Sequence, residues 1–368
     1  MEFGSLFPHE WDAPALSLHG VRMAVFVSTG SGGRTDVGIL GTGSSLPERR
    51  VSSGEVADVV GVERSWITER IGVLERRFST QDETSLDFAI GAARAAIDAA
   101  EVSPAELGAV VLATSTADRP VPGVGVQLQA AIGAHNAVAF DVNAACAGFL
   151  VACDIGRGLL AANPRKDHVL VVASDTYSRY MNPADHRTYP LFGDGAGAVV
   201  LGRVPEGEGI FSVELGTDGR LAHYVTGGPR IPRSTLLAPS DDHYLKMSGR
   251  EIAGLVREKF PELVNDAAKE RGITLGEIGH VISHQANPRL VAEVARTAGL
   301  EPEQLVITGD YLGNTGAASI PIGLDVAVRD GRIRRADTVL MITFGAGMSW
   351  GRMLMQWPSA ASSCPSRG

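Results

Sequence analysis

Asp141-Val142-Asn143-Ala144-Ala145-Cys146-Ala147-Gly148-Phe149 joins an apolar β-type run to an alanine-rich helical one through small residues and a cysteine. A strand is expected over Ala137–Asp141 and a helix over Ala147–Ala161, so the thiol falls at or near a helix N-terminus. There the dipole and free N–H groups favour a thiolate, and small neighbours leave room for a bulky thioester. A lone cysteine is more often a buried core residue. Cys153, further along the same helix among apolar neighbours, fits that description well. Pattern alone leaves Cys146 open between nucleophile and core.

The same strand-then-helix alternation extends in both directions, the pattern of a largely parallel α/β sheet covered by helices. Strands are expected at Val37–Leu40, Ala109–Ala113, His168–Ala173 and Ala196–Leu201. A second set follows at Ile210–Leu215, His280–Ser283, Gln304–Ile307, Thr338–Thr343 and Ser349–Met355. Helices are expected at Ser85–Ala100, Val124–Ile132, Gly249–Arg271 and Arg289–Ala298. The two sets echo each other in order. Gly38–Gly43 parallels Val213–Gly219, Ala109–Thr114 parallels His280–His284, and Phe192–Gly197 parallels Phe344–Gly347, each of the last pair before a final strand. The reading is two similar halves, 36–205 and 206–357, after an irregular leader, 1–35, and before a disordered tail, 358–368. A site belongs at the junction of such halves. Gly227–Asp242, rich in proline, serine and glycine, reads as a surface loop.

Composition narrows the function classes. The net charge of −9 disfavours a nucleic-acid partner. Three cysteines, Cys146, Cys153 and Cys364, make no disulfide framework: two helical turns separate the first two by roughly 10 Å. That usage suits a reducing, cytoplasmic compartment. No stretch reaches the ~20 apolar residues of a membrane span.

Two further segments carry chemistry. In Ser283-His284-Gln285-Ala286-Asn287-Pro288-Arg289 a histidine follows directly on a strand, at the end where α/β proteins place function. His280, four strand residues earlier, lies roughly 13 Å away, so the pair is no metal site. In Gly313-Asn314-Thr315-Gly316 the asparagine reads first as a helix cap. The glycine clusters 41–43, 193–197 and 345–347 lack the lysine or spacing of nucleotide loops and read as tight turns.

Taken in order, these segments resemble β-ketoacyl-acyl-carrier-protein synthase III, the initiating condensing enzyme of the thiolase superfamily. The likeness runs through Gly41-Thr42-Gly43, Trp66–Gly72, the Cys146 elbow, Phe192–Gly197, His284–Asn287, Gly313–Pro321 and Phe344–Gly351, nearly the whole chain. It implies a thiolase-like fold with layered α-β-α-β-α architecture. It implies a catalytic set of Cys146, His284 and Asn314, with the amides of Cys146 and Ala346 as oxyanion hole and Phe344 and Asn287 in support. An acyl-CoA would acylate Cys146, and a malonyl thioester on acyl carrier protein would lose CO₂ and condense with it. Coenzyme A thioesters are then substrates, and no cofactor is required.

The resemblance also places Trp66 and Arg70 at the coenzyme A mouth. A second family arginine there falls on His186, a departure from the family pattern that leaves this phosphate contact open, with Arg187 beside it as a coenzyme A-binding candidate. Arg289 and Arg296 fall on the carrier-protein face, and Val121 on an acyl gate lent across a homodimer, where families often carry phenylalanine. Transfer of the acyl group to a hydroxyl, amine or thiol is the alternative reaction, and a silent acyl-CoA-binding subunit a third. A biosynthetic thiolase is disfavoured, because Phe344–Gly347 lacks a second cysteine.

Overall fold

The computed structural model of the chain describes residues 36–163, 165–227 and 244–359. The leader, nearly all of the Gly227–Asp242 loop, and Cys364 with most of the tail lie outside the described residues. The first half opens with β1 (Asp36–Ser45) and a small excursion of β2 (Arg50–Ser52), α1 (Ser53–Val60), α2 (Arg64–Arg70) and β3 (Glu75–Arg77). There follow α3 (Ser85–Ala100), β4 (Leu107–Ala113), α4 (Val124–Ala131), β5 (Val138–Val142), α5 (Gly148–Ala162), β6 (His168–Thr176) and β7 (Asp194–Val204). The second half holds β8 (Gly209–Thr217), β9 (Val225–Thr226), β10 (Lys246–Met247), α6 (Gly249–Arg271) and β11 (His280–Ser283). It ends with α7 (Pro288–Thr297), α8 (Gly309–Leu312), α9 (Ser319–Arg329), β12 (Thr338–Gly345) and β13 (Ser349–Gln356).

Two sheets share one topology. The first has the order β1-β7-β6-β4-β5, with β4 parallel to β5 and β6, and β7 antiparallel to both neighbours. The second has the order β8-β13-β12-β11, with the same senses at each step. Where β5 has its counterpart, beyond β11, there is one parallel bridge, Val281 to Leu305. The strand expected at Gln304–Ile307 is therefore absent. The Gln285 amide takes one of its carbonyls, Nε2 donating to Val306 at 2.7 Å, while Oε1 accepts from the Thr308 and Gly309 amides just beyond it at 3.0 and 2.8 Å. Backbone groups satisfied by a side chain need no ladder.

Strand alternation builds the layers. In β6, Val169, Val171 and Ala173 face the central core, while Leu170 and Val172 face the outer layer of α3 and α4. In β12, Val339 and Met341 face the same central core, and Leu340 and Ile342 face α6 and α7. Helices α5 and α9 lie between the sheets, completing α-β-α-β-α. A helix in that layer must be apolar all round. Ala145–Ala162, 18 residues with mean hydropathy 1.5, is thus apolar enough to span a membrane by length and composition alone, but Asp154 and Arg157 interrupt it and it is core helix here.

The first two glycine clusters are not turns. Added Cβ atoms at Gly41 and Gly43 would lie 2.4 Å from backbone atoms of α3, and one at Gly197 would lie 2.7 Å from the Ile322 amide of α9. They are strand positions on which a helix backbone rests. In the third cluster Gly345 closes β12, and only Gly347, with φ +77°, makes a turn.

Candidate active site

Cys146 sits in a single 3₁₀ turn, Ala145–Ala147, that runs directly into α5. Ala145 has φ +48°, a left-handed conformation costing about 1 kcal/mol for a residue with a Cβ. Asn143 Oδ1 stabilises it, accepting from the Ala145 amide at 3.2 Å and from Ser115 Oγ at 3.0 Å. From the other half, Thr343 Oγ1 of β12 donates to the Cys146 carbonyl at 3.0 Å. The nucleophile candidate is therefore clamped between the halves. It keeps part of its surface open to a cavity, but protein encloses the thiol elsewhere. Burial first, and the Asp175 carboxylate second, push it up to about 12. The helix start does not give a resting thiolate, because burial outweighs it.

His284 extends β11, its amide donating to the Ile342 carbonyl of β12 at 2.8 Å. Burial, weakly opposed by the Gly316 backbone, holds its imidazole down to about 4. Its Nδ1 is buried without a protein partner. Asn314 is fixed through its backbone: its amide donates to the Leu191 carbonyl at 2.8 Å, and its carbonyl accepts from the Gly193 amide at 3.0 Å. Its Oδ1 accepts from the Gly316 amide at 2.9 Å. That is the cap-like bond expected, and it leaves the side-chain NH₂ as the unengaged end.

Cys146, His284, Asn314, Phe344 and Ala346 line one mainly apolar cavity of about 90 Å³. Asn287 also reaches it: its Oδ1 caps α7 by accepting from the Leu290 amide at 3.0 Å, and its Nδ2 donates to the Arg70 carbonyl at 3.3 Å. Tyr177, absent from the sequence reading, forms a wall, its ring tilted 40° against Phe192 at 4.9 Å. It also borders a second cavity of about 480 Å³ with Ser115, Asn143 and Tyr180. Its place just beyond the end of β6 was the available signal.

Helix α2 carries Trp66 and Arg70, the residues expected at the coenzyme A mouth. The Trp66 ring meets His186 edge-on at 5.4 Å, and the Arg70 guanidinium lies 5.7 Å from the Trp66 centroid. Arg187 is exposed beside them, and the bond that places it is from its amide to Asp185 at 2.9 Å; the ring partner of Trp66 is His186. Arg289 Nε donates to the Thr68 carbonyl at 3.1 Å, while Arg296 is exposed in the last turn of α7. Val121 is 80% exposed and does not line the cavity of its own chain. Among the described residues no cluster of His, Cys, Asp or Glu could hold a metal ion.

Comparison with known proteins meets this geometry. The patterns of 3-oxoacyl-[acyl-carrier-protein (ACP)] synthase III and of its C-terminal part match residues 140–219 and 268–357. An acetoacetyl CoA synthase, NphT7, of Streptomyces sp. strain CL190 is 41% identical over 87% of this chain and 98% of its own length. A β-ketoacyl-[acyl-carrier-protein] synthase III of Symbiobacterium thermophilum is 38% identical over 87% and 98%. The chain belongs to the synthase III family. The synthase III of Pseudomonas aeruginosa PAO1 superposes with a TM-score of 0.83 at 34% identity, covering 88% of this chain and 99% of that one. The priming β-ketosynthase of the R1128 polyketide pathway gives 0.83 at 32%, covering 88% and 97%. This synthase III is thus a thiolase-fold acyltransferase of the condensing type, performing the decarboxylative condensation that initiates fatty acid or polyketide chains.

Proposed function

We propose that Cys146 takes an acyl group from an acyl-CoA as a thioester, and that His284 and Asn314 then decarboxylate a malonyl thioester bound to acyl carrier protein. The observation that carries this reading is the convergence of Cys146, an uncharged His284 and an oriented Asn314 amide on one narrow apolar cavity. Loss of CO₂ leaves an enolate, and two fixed donors aimed at its oxygen lower the barrier where charge develops. The carbanion attacks the Cys146 thioester carbonyl; the C–S bond breaks, and β-ketoacyl product leaves on the carrier. The Cys146 and Ala346 amides form the oxyanion hole for each attack. Phe344, nearly buried in the wall, disfavours the malonyl carboxylate and so favours its departure.

Coenzyme A enters over Trp66, which stacks on the adenine, with Arg70 and His186 at the phosphates and Arg187 beside them. Exposed Arg289 and Arg296 meet the acidic carrier protein. The enzyme works as a cytoplasmic homodimer in which Val121 of each chain reaches the partner's acyl site. The free thiols of Cys146 and Cys153 suit that compartment. No cofactor is needed, because the thioesters supply the reactive carbons.

The test mixes acyl-CoA primers with malonyl-loaded carrier protein, weighs the Cys146 adduct and measures CO₂. Adduct, CO₂ and β-ketoacyl product together are expected. Adduct without CO₂, but with an ester or amide on a small acceptor, assigns the chain to simple acyl transfer. Replacing the carrier by malonyl-CoA asks whether Arg289 and Arg296 matter: equal rates on both would remove their role.

A further inference from the structure

Asp175 lies near the end of β6, fully buried, and is none of the residues assigned above. Its carboxylate collects donors from both halves. Oδ1 accepts from the Ser115 amide at 2.9 Å, from Thr114 Oγ1 at 3.2 Å and from Thr116 Oγ1 at 3.0 Å. Oδ2 accepts from the Ala317 amide at 2.8 Å, 142 residues away. Gly316 rests on that same oxygen: with φ +61°, any Cβ there would lie 2.3 Å from it. Gly316 in turn donates to Asn314 Oδ1 and touches His284. On the opposite side, Ser115 Oγ donates to Asn143, which holds the strained amide before Cys146.

We propose that Asp175 is a positioning residue of the condensing site, fixing the Asn314 turn through Ala317 and the Cys146 turn through Ser115. The inference rests on the reading of Asn314 as an enolate donor. Both carboxylate oxygens accept, so a neutral amide would keep only one of the two sides, and the charge has a consequence of its own. It faces Cys146, whose thiol it helps keep protonated, along with Tyr177 and Tyr180, the latter next to the Asp118–Arg179 pair. Negative charge beside the cavity suppresses the thiolate and protects it from stray electrophiles. Burial raises the Asp175 carboxyl to about 6, Tyr177 is pushed well up, and His284 is neutral above about 4. Between about pH 5 and 7, Asp175 is therefore the site group that titrates.

Iodoacetamide labelling of Cys146, read by peptide mass, tests this without invoking condensation, and CO₂ release from a malonyl thioester is measured in parallel. In Asp175→Asn, labelling at neutral pH is expected to rise about tenfold as the charge is lost. Decarboxylation should fall about tenfold or more as the Asn314 turn loosens. Slowing of both, or unchanged labelling, overturns the proposal. So does labelling of Cys153 at the same rate, which marks a general opening. The unaltered enzyme supplies a second test that depends on no variant. Its labelling rate should climb by less than tenfold per pH unit across pH 6, while Asp175 ionises, and by tenfold per unit above. A uniform tenfold slope overturns the charge effect. An enzyme with no malonyl decarboxylation at all would instead sink the Asn314 reading, leaving the labelling to judge Asp175.

Discussion

The His284 imidazole, held down to about 4 by burial, is uncharged near neutral pH and can donate one N–H to an oxygen in the cavity. In the proposed mechanism such a donor acts on the enolate of the second step and not on thioester formation. His284→Ala and Asn314→Ala are therefore expected to keep most Cys146 acylation and lose malonyl decarboxylation by about a hundredfold or more. Equal loss of both steps would make His284 an activator of the thiol. Between the two free thiols, Cys153 is fully buried within α5 and pushed up by its surroundings, while Cys146 opens on the cavity. Cys146→Ala should abolish the acyl adduct and Cys153→Ala should retain it, by intact mass. His284 and Asp175 also oppose each other in stability. Because His284 is depressed from 6.5 to about 4, the unfolded chain binds its proton more readily, so stability falls as pH drops through that window. Asp175, raised from 3.8 to about 6, makes the folded chain the better proton binder, so stability falls as pH rises through its window. In Asp175→Asn the urea midpoint should thus climb more steeply from about pH 4 to 6 than in the unaltered chain. An unchanged slope would mean that Asp175 titrates normally.

At the scale of elements, the halves are joined by more than packing. Asp325 of α9, nearly buried, accepts from Thr42 of β1 at 2.9 Å and from Ser44 at 2.5 Å, and pairs with Arg329 at 3.0 Å. Truncating it leaves two hydroxyls near the interface without an acceptor. Asp325→Ala should lower unfolding stability by about 2 kcal/mol, read as a urea midpoint shift at constant slope. A shift indistinguishable from zero would mean that packing alone holds α9 on β1. These cross-half ties mark where the sequence stops being legible. Strand and helix periods, the thiol at the α5 start, the histidine after β11 and the Asn314 turn are local patterns, and all were readable. Asp175 meets Ala317 across 142 residues, and Tyr177 becomes a wall only once Phe192 lies against it. The Gln304–Ile307 strand failed for the same reason, since Gln285, some twenty residues earlier, takes the Val306 carbonyl and the amides just beyond the segment. Burial decided the Cys146 thiol against the local helix start, and burial is a property of the assembled halves.

At the scale of the whole molecule, β5 ends the five-stranded sheet, so among the described residues one of its edges has no strand beside it. Such an edge invites another chain unless it is blunted. Around it Val138, Val126 and Val121 stand 49%, 48% and 80% exposed, an apolar set with no covering element among the described residues. A second copy brought edge to edge would pair β5 with its mate antiparallel and bury these valines, and the loop bearing Val121 would then lie against the partner. Sedimentation should accordingly give twice the chain mass. Val138→Lys, placing a charge on the edge strand, should shift the enzyme toward monomer. If Val121 reaches the partner's acyl site, Val121→Phe adds bulk there and overpacks it. Acylation by a long or branched primer should then fall about tenfold relative to acetyl. Acylation rates for both primers in both variants check this. A dimer with an unchanged primer ratio would leave the interface standing and move primer selection inside one chain, to Tyr177 and Phe192.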